Sequence, residues 1–256
     1  MLKSSLIIRL LCGALANAAP AATFAGDAGT TGQINCVIEL YTSQGCSSCP
    51  PADALLPSFM EKDGTLALSF NVDIWDSLGW KDTLANPKFT QRQRAYAQSR
   101  GDGQVYTPQA IVNGMTHAVG SDKTSIDKEI ATTAAQTKAM RVAVGLTADG
   151  DGVRVDTPTW SVAHTAAVDA TLWLVKFTPR VEVTIQRGEN TGRSVTYHNV
   201  VREIVAVGHW RGEAATMRMS KAQLAGCTPG TCAVLLQQGG NASILGAAWV
   251  PGISGT

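Results

Sequence analysis

The sequence predicts an α/β half followed by a β-rich half, and three observations carry that reading. Strand-like and helix-like segments alternate up to about Met140, whereas the later segments are strand-like. A Cys-x-x-Cys pair, Cys46 and Cys49, separates the first strand-like run from the first helical one. Hydrophobic residues make up 45% of the 256 and charged residues only 16%, which supplies a core and excludes a disordered or coiled-coil chain. The net charge is +1. A near-neutral chain carries no electrostatic footprint for nucleic acid or an anionic membrane surface, so neither partner is expected.

Residues 1–19 have the order of a secretory signal peptide. Lys3 and Arg9 accompany the apolar run Leu6–Leu15, and Ala16-Asn17-Ala18-Ala19 supplies a small-residue cleavage pattern. The run is too short to span a bilayer, which takes about 20 residues. No later apolar run approaches that length, so an exported chain without a membrane span is expected, periplasmic or secreted. Residues 20–33, rich in Ala, Gly and Thr, read as a flexible leader.

Cys36 to Tyr41 is β-branched and aromatic and reads as a strand. Pro50 to about Lys62 reads as a helix from the spacing of Ala54, Leu55, Phe59 and Met60. Leu66 to Val72 is a second strand. Asn86-Pro87 pairs an N-cap residue with proline at the first helical position, starting a helix that runs to Arg100 and stops at Gly101. Gln109–Val112 and Met115–Val119 flank Asn113-Gly114, a favoured hairpin turn. Ser121–Lys138 closes this unit, residues 34–139, as a helix. In residues 140–256, strand-like runs recur at 141–146, 153–156, 168–177, 181–186, 194–197, 201–207, 233–237 and 244–250. Their spacing suggests an antiparallel, sandwich-like module.

The order strand, Cys-x-x-Cys, helix, strand, helix, hairpin, helix is that of a thioredoxin-like domain. Thr107-Pro108 stands just before the hairpin, where such domains carry a cis-proline packed against the cysteine pair. A zinc site would need two further Cys or His ligands at short spacing, and beyond Cys36 the nearest in sequence is His117. The pair suits thiol–disulfide exchange. A thiolate at a helix N-terminus is stabilised by free backbone N–H groups, and a second thiol three residues on closes the disulfide and releases a bound partner. Cys46 is then the exposed nucleophile, Cys49 the resolving thiol, and Pro108 shapes the partner groove. Pro50 and Pro51 move the start of the regular helix past Cys49, which weakens the dipole's hold on Cys46. A static disulfide stays open as an alternative, as does a soft-metal site for Cu(I) with Met115 or His117 nearby. No organic cofactor and no resident metal is called for.

The run Asp73–Asp82 follows the second strand, at the carboxyl end where ligands gather in open α/β sheets. Asp73, Trp75, Asp76 and Trp80, with Thr107, are therefore candidates for the partner groove. Arg92, Arg94 and Tyr96 read as a solvated or loop-pinning helix face. His164, His198 and His209 lie without metal-ligand spacing and are assigned structural roles. Export makes the cysteines candidates for oxidation. Cys227 and Cys232 flank the turn Pro229-Gly230 and are expected to form a structural disulfide, leaving Cys36 as a buried core thiol.

The stretch Thr42-Ser43-Gln44-Gly45-Cys46-Ser47-Ser48-Cys49-Pro50-Pro51-Ala52-Asp53, with Asp73–Asp82 and Val105–Gln109, resembles the bacterial family known as domain of unknown function 1223. Arg187–Asn190 and Thr196–Arg202 resemble it as well. The resemblance implies a secreted thioredoxin-like half with an appended β-rich half over nearly the whole mature chain, and it brings no substrate. Cys36 is particular to this sequence. The resemblance singles out Arg187, Glu189, His198, Asn199 and Arg202 in the β-rich half, expected to anchor loops or the contact between halves rather than to react. The expected activity is an exported thiol–disulfide oxidoreductase acting on protein or small-molecule thiols and disulfides. The rival is a non-catalytic binding or structural protein.

Overall fold

The computed structural model describes residues 34–137, 141–150, 152–160 and 168–252. The signal-peptide and leader segments and His164 lie outside the described residues. The first half runs β1 (Cys36–Thr42), α1 (Pro50–Leu55), α2 (Pro57–Met60), β2 (Thr65–Asn71), α3 (Pro87–Arg100), β3 (Gln109–Val112), β4 (Thr116–Val119) and α4 (Lys123–Thr137). The second runs β5 (Gly145–Asp149), β6 (Gly152–Thr157), β7 (Ala170–Thr184), β8 (Ser194–Trp210), β9 (Ala215–Ser220), β10 (Cys232–Gln238) and β11 (Ile244–Trp249).

Local signals place many of these elements. The Asn86 side chain accepts from Lys88 N, and Gly101 ends α3 in the left-handed region at φ 76°. The helix expected from Pro50 is split in two. The chain stays helical at Leu56, but Pro57 has no N–H to continue the hydrogen-bond ladder. The segments 168–177 and 181–186 fuse into the 15-residue β7, and 194–197 and 201–207 into the 17-residue β8. Pro179 and Asn199 fall in a gap of the ladder between Thr178↔Val200 and Arg180↔His198, across which the register is kept and the strands continue, while the register shifts at Leu172/Trp173 and Lys176/Phe177. β9 carries few β-branched residues and was not anticipated; it exists through its pairing with β6.

One eight-stranded mixed sheet, in the order β11-β10-β7-β8-β2-β1-β3-β4, runs through both halves, beside a three-stranded antiparallel sheet β5-β6-β9. β1 is parallel to β2 and antiparallel to β3. The seam between the halves is narrow: Ser69 of β2 pairs in parallel with Val200 of β8. Asn199, at φ 44°, turns its amide to donate to Ala67 O at 2.9 Å, filling the anchoring role expected of it. On one face, Phe89 and Tyr96 of α3 share a core with Val37, Tyr41, Phe70, Val175, Phe177 and Leu235. On the other, α1, α2 and α4 cover β1–β4 through Ala52, Phe59 and Ile126. The three-stranded sheet covers β7 and β10 there through Val153, Val155 and Met219. The antiparallel strands of the second half are thus a sandwich only locally, because β8 continues the first half's sheet.

Candidate redox site

Cys46 and Cys49 form a disulfide in the turn between β1 and α1, and Cys227–Cys232 form a second one. Cys49 is the N-cap residue of α1 and fully buried; Cys46 keeps only 5% of its surface. The expectation of an exposed Cys46 is corrected to a narrow opening, for a reason that lies in the surrounding loops. α1 has six residues, too few for a large dipole, so stabilisation of a Cys46 thiolate falls to local donors. The Ser48 hydroxyl, 3.4 Å from Cys46 Sγ, is one.

The run after β2 braces this turn. Trp75 packs against Gly45, where a Cβ would stand 2.9 Å from Trp75 Cβ. Its indole N–H donates to Thr107 Oγ1 at 2.7 Å, tying the cysteine turn to the loop that holds Pro108, whose peptide bond with Thr107 is cis. Trp80 Nε1 donates to Gln44 Oε1 at 2.8 Å. Asp73 accepts from Thr90 Oγ1 of α3, and Asp76 accepts from Asp82 N. Trp75 and Trp80 therefore touch the turn, while Asp73 and Asp76 pin the loop that carries the tryptophans.

Three groups escaped the sequence reading. Asp82 accepts from Gln44 N, Asn71 Nδ2 and Leu84 N; burial raises its carboxyl pKa despite those donors. Asn190, between β7 and β8, reaches over the turn and donates to Cys46 O at 2.8 Å and Gln44 O at 3.0 Å. The distal arms of that hairpin pack Ile185, Val195 and Tyr197 with Trp80 and Leu84. The second half thus helps build the site. Asn190 lay in the Arg187–Asn190 run, but its exposed neighbours Arg187 and Glu189 were singled out instead. Arg202 is also exposed, and His198 is half-buried on β8, paired with Arg180 of β7.

Asp53 is the third. It is 1% exposed, and neither carboxyl oxygen has a hydrogen-bond partner. Burial first, and then the nearby Asp82, raise its pKa to about 8; the Thr42 hydroxyl opposes them, though it too is outside hydrogen-bonding geometry. Asp53 N donates to Cys49 O, the helical i, i+4 relation that puts two side chains on one face. A single sequence shows an acid in a short helix, not that the fold buries it beside Asp82 and Tyr197 with no hydrogen-bond partner.

Other expectations resolve plainly. Arg92 and Tyr96 are buried, not solvated: Arg92 pairs with Glu39 of β1 at 2.7 Å, and Tyr96 donates to the same carboxylate. Arg94 is exposed. Cys36 is buried and free, its thiol pushed up to about 11 by burial. Met115 lies beyond the end of β3 opposite Pro108, and His117 is held by Tyr106 and Asp102. Among the described residues no group of three or more His, Cys, Asp or Glu is placed to hold a metal ion, and no helix is long and apolar enough to cross a membrane.

We expect Asn190→Ala to lower stability by about 2 kcal/mol, the worth of two buried hydrogen bonds, and to speed reduction of the Cys46–Cys49 disulfide by glutathione. Urea midpoints and thiol-release rates measure both effects. An unchanged reduction rate would show that the hairpin tip does not guard the turn.

Among solved structures, the chain is similar to protein AGR_C_4864 from Agrobacterium tumefaciens, at 33% identity and a TM-score of 0.72, over 88% of this chain and 97% of that one. It is also similar in fold to HBP35 of Porphyromonas gingivalis, at 15% identity and a TM-score of 0.55, over 90% and 79% of the two chains. No curated protein matches the sequence. The sequence model of one family matches residues 37–237, the span from β1 through β10 that includes both the cysteine turn and the hairpin above it, and the chain belongs to that family, described as Protein of unknown function (DUF1223).

Proposed function

We propose that the protein is an exported thiol–disulfide oxidoreductase in which residues 36–137 form a thioredoxin-like unit. The observation that carries the reading is a Cys46–Cys49 disulfide at a strand-to-helix turn, braced through Trp75 to the Thr107–Pro108 loop. The strand order β2-β1-β3-β4, with β3 and β4 antiparallel, supports the thioredoxin-like part. Two disulfides suit an oxidising compartment and so support export.

In the oxidised state a partner thiolate attacks Sγ of Cys46, the one cysteine of the pair that keeps any exposed surface. The Cys46–Cys49 bond breaks, a mixed disulfide forms at Cys46, and Cys49 leaves as a thiolate. We assign the proton that this thiolate takes up to Asp53, one helical turn after Cys49 and protonated at neutral pH, which later regains a proton from solvent. A second thiolate then releases the partner as a disulfide and leaves Cys46 reduced. Run backwards, the same steps reduce a partner disulfide, with Cys49 resolving.

After mild reduction, Cys46 is expected to be alkylated much faster than Cys49, and Cys49→Ser is expected to trap partners as stable mixed disulfides through Cys46. Equal, slow labelling of both thiols, with no trapped species, would leave the pair a static staple.

A further inference from the structure

A cavity of about 300 Å³ opens on the α3 face of the large sheet, the face opposite α1. Lys88, Arg92 and Ala95 line it from one side of α3, Trp173 and Ile204 from β7 and β8, and Asn241 from the turn before β11. Its size falls at the lower end of small-molecule sites, about 300–1,000 Å³.

Arg92 is the buried polar element of this cavity, only 5% exposed. Its Nε and Nη2 are committed to Glu39 and to the Tyr96 hydroxyl. None of these bonds uses Nη1, the guanidinium nitrogen that is left to meet a ligand in the cavity Arg92 lines. The guanidinium centre sits 5.8 Å from the Trp173 ring, and Glu39 holds it rigidly. Glu39 also cancels its charge, which leaves exposed Lys88 as the uncompensated cation of the lining. That balance suits one negative charge and disfavours two. Trp173 and Ile204, both half-buried, supply a flat apolar wall.

We propose that this cavity binds a small monocarboxylate with a flat apolar body, its oxygen accepting from Arg92 Nη1 and its ring lying on Trp173 and Ile204. The site is separate from the cysteine turn, so it stands whether or not the disulfide is redox-active.

The test uses the folded mature chain and three probes that share a ring and differ in charge: benzoate, benzyl alcohol and benzylamine. The indole ¹H–¹⁵N resonance of Trp173, assigned by Trp173→Phe, is followed during titration. Benzoate is expected to shift it saturably with a Kd below about 1 mM, benzyl alcohol to bind about tenfold more weakly, and benzylamine not to bind. Lys88→Glu, at an exposed position that should leave folding intact, is expected to weaken benzoate by about tenfold without changing benzyl alcohol. A non-saturating response, equal binding of benzoate and benzylamine, or no effect of Lys88→Glu would overturn the proposal.

Discussion

Replacing Asp53 with asparagine is expected to stabilise the protein at pH 8 by about 5 kcal/mol and to have little effect at pH 4. The sign follows from proton linkage. Asp53 titrates at about 8 in the folded protein and near 3.9 when unfolded. Between those values the folded state holds a proton that the unfolded state has lost, so stability falls as pH rises, by about 1.4 kcal/mol per unit. Below both values the two states bind the proton alike and the penalty vanishes. Asparagine cannot ionise and removes the slope. Chemical denaturation of both proteins from pH 4 to 9 measures the difference, and parallel curves would show that Asp53 is not the buried acid described. The same substitution is expected to slow attack of a small dithiol on the Cys46–Cys49 disulfide by about 10²-fold, the low end of general acid–base effects. The wild-type rate should bend near pH 8 and the variant's should not. Stabilisation without a rate effect would leave Asp53 a buried acid with no part in exchange.

Arg92→Ala is the second large effect, expected to cost about 3–5 kcal/mol because it strands a buried carboxylate. Glu39 is 1% exposed and accepts from Arg92, Tyr41 and Tyr96, while Gln237 of β10 donates to the Tyr96 hydroxyl. The cost arises from the unpaired charge more than from the lost attraction. The double variant Glu39→Gln with Arg92→Met should therefore recover most of it. Urea unfolding of the wild type, Arg92→Ala and the double variant tests this. A double variant as unstable as Arg92→Ala would locate the loss in packing around Tyr96 instead.

The residues that announced themselves in the sequence are those whose structure depends on near neighbours. Asn86 caps α3 and Gly101 ends it; Asn113-Gly114 turns the β3–β4 hairpin; Cys227 and Cys232 meet across Pro229-Gly230. Cys46, Cys49 and Pro108 stood out because three-residue spacing and an X–Pro bond before a strand are local patterns. Trp75 and Trp80 could be placed near the turn because β1 and β2 end on the same side.

Residues that depend on distant partners gave no comparable signal. An acid four positions after Cys49 reads as an ordinary surface residue of a short helix until Tyr197 of β8 stands near it. Arg92 looks solvated until Glu39, 53 positions away, supplies a buried carboxylate. Asn190 crosses 144 positions to bond Cys46, and Asn199 crosses 132 to bond Ala67. Apolar periodicity shows which face of an element is buried, but not which element buries it. The division at about Met140 marked the change in local chemistry, whereas the common sheet and the hairpin over the cysteines arise from contacts across that division, which side-chain identities along one strand do not encode.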